Sequence, residues 1–78
     1  MTDPGSIEQS IRDGLACTHV EVHGDGAHFE AVIVSPAFAG LSRVRQHQLV
    51  YAALGERMKV EIHALSMKTY SPEEWAAR

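Results

Sequence analysis

The chain of 78 residues has a single cysteine, Cys17. One thiol excludes an intramolecular disulfide and any four-cysteine metal site. No apolar run approaches the roughly eighteen residues of a membrane-spanning helix. Met1-Thr2-Asp3-Pro4-Gly5 is neither the basic-then-apolar start of a secretory signal nor an Arg-rich transit segment. Positive charge is also short: seven Lys and Arg face ten Asp and Glu, for a net charge of −3. That balance argues against a surface coated for non-specific nucleic-acid binding, while leaving room for a local basic stripe. Gly24-Asp25-Gly26 lacks the spacing of a phosphate-cradling loop, and no Walker or dinucleotide fingerprint occurs. A chain this short buries only about 60–65% of its unfolded surface, too little to wall off a closed catalytic cavity. Cys17 and His19 are a nucleophile and a base by type, but spacing i, i+2 at a helix–strand junction aligns them poorly. The reading is a non-enzymatic cytoplasmic protein with one domain over residues 1–78 and no membrane contact.

What the chain does have is 45% hydrophobic residues, enough for a thin core, and five histidines: His19, His23, His28, His47 and His63. Histidine ligates metals when neutral and changes charge near neutral pH. Their placement follows from the periodicity. Ser6 and Gln9 make a capping-box pattern ahead of Ile7, Ile11 and Leu15, predicting a helix over 6–16 that Gly14 weakens by about 1 kcal/mol. Residues 19–23 and 27–34 alternate at period two around Gly-Asp-Gly, a hairpin signal. A four-residue loop over 24–27 keeps Val20, Val22, Phe29, Ala31 and Ile33 on one face. It pairs Val22 with Phe29 and sets His23 across from His28. Val32 and Val34 fall on the other face with the histidines.

Ser35-Pro36 ends that strand, and residues 37–40 suit one short helical turn closed by Gly40. Ser42 caps a longer helix over 42–57, with Val44, Leu49, Val50, Ala53, Leu54 and Met58 as its apolar stripe. The outline is that of a helix-turn-helix. In a third strand over 60–67, Val60, Ile62 and Ala64 alternate with Glu61, His63 and Leu65, so periodicity suits either face. Placing the Glu61 charge outward puts His63 and Leu65 outward with it. Ser71-Pro72-Glu73-Glu74 is a helix start with Ser at the N-cap and Pro at N1, and Trp75 is placed to pack back. The string is α-β-β-α-α-β-α. The helical crossover makes strands two and three parallel, so the expected fold is α+β, a three-stranded mixed sheet with helices packed on one face. The other face stays open and mixes imidazole with apolar groups, as a partner site does.

A zinc site finds only one thiol and no paired histidine spacing on a helix. An iron–sulfur cluster takes four ligands, usually thiolates, though two histidines can serve one iron. This chain has histidines to offer and one sulfur, so a cluster here would have to be shared with a partner that brings sulfur. Arg43, Arg45, Arg57 and Lys59 lie on or beside the long helix, where they can reach phosphates, or simply face solvent.

Several segments, in order, are then specific: Gly26-Ala27-His28-Phe29, residues 38–43, residues 46–51, Ile62-His63-Ala64-Leu65-Ser66, and Tyr70-Ser71-Pro72-Glu73-Glu74-Trp75. Together they resemble the BolA family over essentially the whole chain. The compact Gly-Asp-Gly-x-His-Phe hairpin is most similar to the IbaG (YrbA) subgroup, where BolA itself has a longer loop. The resemblance implies a fold related to the type II KH domain. It also implies a partnership with monothiol glutaredoxins through a bridging [2Fe-2S] cluster, in iron–sulfur trafficking, iron homeostasis or stress response. The family's ligand histidine at the start of strand three maps onto His63. The second ligand, in the loop between strands one and two, maps onto His28, with His23 as the alternative. The isolated chain is expected to be a monomer or weak homodimer without a cluster. The family's other role, DNA binding and transcriptional regulation, would rest on Arg43, Arg45 and Lys59, without the Gly-x-x-Gly loop of RNA-binding KH domains.

Overall fold

A computed structural model describes residues 3–62 and 64–78. Helix α1 (Pro4–Gly14) leads into the hairpin of β1 (His19–Gly24) and β2 (His28–Val34). A 3-10 turn (Pro36–Phe38), α2 (Arg43–Leu54) and α3 (Arg57–Val60) cross over to β3 (Ala64–Tyr70), and α4 (Pro72–Ala77) closes the chain. The sheet runs in the order β1-β2-β3, with β1 antiparallel and β3 parallel to the central β2. The expected α+β architecture with a three-stranded mixed sheet is what forms.

The core lies on one face. Val20, Val22, Phe29, Ala31 and Ile33 meet Ile7 and Ile11 of α1, Phe38 of the 3-10 turn, Val50 and Leu54 of α2, and Ile62. Burying side chains of this size contributes roughly 1.5–3 kcal/mol each, which offsets the entropy of ordering so short a chain.

The boundaries differ from the periodicity reading in instructive places. Asp3, not Ser6, caps α1: its Oδ1 accepts from Ser6 N at 3.0 Å. The helix therefore starts two residues earlier and ends at Gly14. A Cβ on Gly14 would stand 2.9 Å from Ala53 Cα, so the glycine permits α1 and α2 to touch. Helix α2 stops at Leu54, where Gly55 N donates back to Tyr51 O at 2.9 Å. Residues 57–60, which periodicity divides between helix end and strand, form the turn α3. Arg57 fastens this turn to α1, donating to Ser6 O at 2.9 Å and Ser10 Oγ at 2.7 Å, beside Glu61 at 3.1 Å.

Because α3 takes up these residues, β3 begins at Ala64, and Leu65 packs toward the core instead of the open face. Val44 is likewise outside the core, 67% exposed, and Gln46 stands in the buried row with Val50 and Leu54. Gln46 is accommodated because every arm of its amide is used. Nε2 donates to Phe38 O (3.2 Å) and Leu41 O (3.1 Å), while Oε1 accepts from Thr69 Oγ1 (2.7 Å) and Arg43 Nη1 (3.0 Å). Buried polar groups persist when satisfied in this way.

The hairpin register is displaced by two residues from the expected one. Gly24 pairs with Phe29, Val22 with Ala31 and His23 with Glu30, so His23 does not face His28. The shift is even, so the face assignment survives. Two local causes fix it. A Cβ at Gly24 would come 2.3 Å from Phe29 Cδ1, so glycine alone leaves space for the ring. Asp25 Oδ1 accepts from Ala27 N and His28 N, both at 3.0 Å, which folds residues 25–28 into the connection.

Candidate functional site

The face of the sheet opposite the core is ordered in rows by the strand register. His28 pairs with Ala64 at one end. Next come His23, Glu30 and Ser66, then Glu21, Val32 and Lys68, and finally His19, Val34 and Tyr70. Strand alternation delivers these side chains to one surface, so His19, His23 and His28 share the face assigned to them by periodicity. A shallow cavity of about 250 Å³ lies on it, lined by His23, Glu30, Val32, Ser66 and Lys68 together with Ala31 and Met67.

Periodicity leaves Val34 open on this face, whereas it is fully buried. The reason is Trp75 of α4. Its ring stacks on His19 (centroids 5.1 Å apart, 25° between planes) and tilts against Tyr70 (5.2 Å). His19 and Tyr70 are the register partners of Val34 on either side. Trp75 therefore roofs the last row, and the guanidinium of Arg78 lies 3.4 Å from its ring centroid on a cation–π contact. His19 Nε2 is also 3.1 Å from Glu21 Oε1, outside hydrogen-bond geometry. The same helix is held at its start by Ser71 and Glu74 in a reciprocal capping box. Donation from Ser71 N lowers the Glu74 carboxyl below its ordinary value, helped by the Arg43 charge.

At the uncovered end, His28 is exposed, and its Nε2 and Ser66 Oγ lie 3.3 Å apart in hydrogen-bond contact. Asp25, which holds the preceding turn, is lowered by the His28 and Ala27 N–H groups it accepts from. His63, the first of the expected ligands, lies outside the described residues. His23 sits one row in from His28 and opposite a carboxylate.

Cys17 is half-buried at the junction of α1 and β1, where its thiol donates to Leu15 O at 3.3 Å. Burial pushes the thiol up from its ordinary value, only partly opposed by Arg12, so thiolate chemistry is disfavoured there. Among the described residues, no group of three or more His, Cys, Asp or Glu side chains is placed to hold a metal ion. Nor is any described helix long and apolar enough to cross a membrane.

The basic residues divide. Arg43 is drawn into the fold: Nη1 donates to Thr69 O, to Thr69 Oγ1 at 3.3 Å and to Gln46, and Nη2 is 3.9 Å from Glu74. Arg57 is the α1–α3 clamp described above. Lys59 stands 4.0 Å from Glu56, and Arg45 is exposed on α2. Sequence reasoning missed Gln46 and Thr69, the polar pair that sets Arg43. The available signal was position, since Gln46 precedes Val50 and Leu54 at four-residue steps.

Comparison with known proteins agrees with this geometry. A family model described as BolA-like protein matches residues 10–74. The acid stress protein IbaG of Escherichia coli (strain K12) is 42% identical over 71 residues, covering 90% of this chain and 84% of the relative. The DNA-binding transcriptional regulator BolA of Haemophilus influenzae is 40% identical over 60 residues, covering 77% of this chain and 58% of that protein. Neither name is that of an enzyme. A solved bolA protein homologue from Coxiella burnetii superposes with a TM-score of 0.85 at 44% identity, covering 97% of this chain and 99% of the other. On sequence and architecture together, this chain belongs to the BolA-like family.

Proposed function

We propose that this protein is a non-enzymatic partner of a monothiol glutaredoxin, sharing a bridging [2Fe-2S] cluster with it in iron–sulfur trafficking or iron homeostasis under stress. The observation that carries the reading is His28: an exposed imidazole at the uncovered end of the sheet, whose strand partner, Ala64, directly follows His63 in the chain. Donor chemistry fits. Neutral imidazole is a ligating form, and two histidines can serve one iron of such a cluster while thiolates hold the other. The chain's own thiol does not fit, because Cys17 is protonation-biased and engaged with Leu15 O. His28 and His63 would hold the cluster's one side, and the sulfur ligands would come from the partner. Ser66, in contact with His28 Nε2, orients that ring. The kinship with an acid stress protein supports the cellular setting.

The test is to mix the chain with cluster-loaded monothiol glutaredoxin and record visible absorption and circular dichroism. The expected result is a new spectrum that His28→Ala and His63→Ala each alter, and that His23→Ala leaves unchanged. Alteration by His23→Ala but not His28→Ala transfers the second ligand to His23. Absence of any spectral change or co-elution with the wild-type chain overturns the partnership.

The kinship with a DNA-binding regulator favours a second reading, duplex DNA binding through the α2–α3 region. With Arg43 and Arg57 committed to the fold, Arg45 and Lys59 are left to carry it. Replacing either cation by alanine should flatten the salt dependence of binding by about one unit. Sequence-selective, sub-micromolar binding at physiological salt would promote this reading over the first.

A further inference from the structure

A second cavity of about 250 Å³ lies at the outer edge of β3 beside α2, lined by Arg43, His47, Met67, Lys68, Thr69 and Tyr70, and it shares Met67 and Lys68 with the first. Its charged lining is entirely basic. Arg43 and His47 are one helical turn apart on α2, and Lys68 and Tyr70 are two apart on β3, so two elements converge on one space. The ring of His47 is half-buried, and its Nε2 is shielded with no hydrogen-bond partner among the described residues. Leaving such a nitrogen unpaired is unfavourable, so the surroundings are short of one polar partner.

We propose that this cavity is a binding site for a small oxyanion, a phosphate or carboxylate, held by Arg43, Lys68, the His47 ring and the Tyr70 hydroxyl. Arg43 is positioned for this in advance. Its bonds to Thr69 and Gln46 fix the guanidinium plane, and among the described residues Nη2 has only the longer 3.9 Å contact with Glu74. An anion would compete with that carboxylate. Burial and the Arg43 charge hold His47 below its ordinary value, so the ring offers a neutral N–H in the free protein. A bound anion would reverse the balance of charge around it and raise its titration. The groups facing His47 are Arg43 on its own helix and Lys68 and Tyr70 on β3, with Glu74 beyond Arg43.

The experiment is an amide and imidazole NMR titration of the full chain with inorganic phosphate and, separately, acetate, at ionic strength held constant with sodium chloride. The expected result is a saturable shift confined to these four residues, with the His47 titration moving to higher pH as phosphate is added. Lys68→Ala and His47→Ala should each weaken phosphate binding roughly 2- to 5-fold, the size of one partly exposed polar contact. Glu74→Gln should tighten it about 2-fold, since glutamine keeps the capping box while removing the competing charge. Shifts that chloride reproduces, or that spread equally to Arg45 and Lys59, overturn the proposal. Duplex DNA displacing phosphate from the same residues at lower concentration also overturns it, in favour of a polyanion groove. None of these readouts involves glutaredoxin or a cluster.

Discussion

The two faces of one three-stranded sheet obey different rules. On the core face, Val20, Val22, Phe29, Ala31 and Ile33 are buried against two helices, and little freedom of shape remains. On the other face, His23, His28, Glu30, Ser66 and Lys68 stand in register, and α4 covers the far end through Trp75. The first face fixes stability and tolerates no change of volume. The second contributes little to stability, and its side chains remain available to a partner, which suits it to the proposed role. Substitution should therefore separate the two faces by measurement.

The largest effect is expected from Phe29→Ala. The ring is fully buried at the centre of the core, so its loss should cost about 3–5 kcal/mol in denaturant unfolding, a large part of the stability of a small domain. A cost under 1 kcal/mol would mean that the core face is not what holds the fold. Gly24→Ala comes next. The new methyl would meet the Phe29 ring and His28 O at once, predicting about 1–3 kcal/mol of destabilisation with displaced hairpin amide shifts.

Acid should act more gently, through groups off the core face. The lowered His47 means that the unfolded chain binds its proton more readily than the folded one. The resulting stability is complete above roughly pH 6.5, the ordinary histidine value, and is lost as pH falls through the lower folded value. Asp25 and Glu74, also lowered, add a second window below about pH 4, the ordinary carboxylate range. Unfolding measured against pH should show both slopes, and His47→Gln should remove only the upper one. The smallest change in stability belongs to His28→Ala, within about 0.5 kcal/mol of wild type as an exposed substitution. Under the proposed partnership it should nevertheless alter the spectrum of the bridging cluster. A His28→Ala chain that unfolds easily would show that the open face is structural after all.

Much of this arrangement was legible from residue order. The alternation of residues 19–23 and 27–34 assigned both faces, and Ser71-Pro72-Glu73-Glu74 marked the start of α4 to the residue, because caps and strand phase are local properties. Register was not local. Periodicity cannot distinguish pairings that differ by two residues, and the choice fell to the space that Gly24 leaves for Phe29 and to the Asp25 turn. The same holds for residues 57–60, which periodicity divides between helix end and strand but which the bonds of Arg57 to α1 hold in a helical turn.

The sequence by itself determined the class of the protein: a one-thiol, histidine-bearing α+β domain of the BolA-like family with one apolar and one imidazole face. Only the tertiary structure decided that Arg43 serves Thr69 and Gln46 while also lining a basic cavity, and that Trp75 closes over Val34. It likewise put His28, not His23, at the uncovered end of the sheet. Each of these depends on groups far apart in the chain meeting at a few ångströms, and such meetings follow from the packing of the whole core, not from the pattern of any one segment.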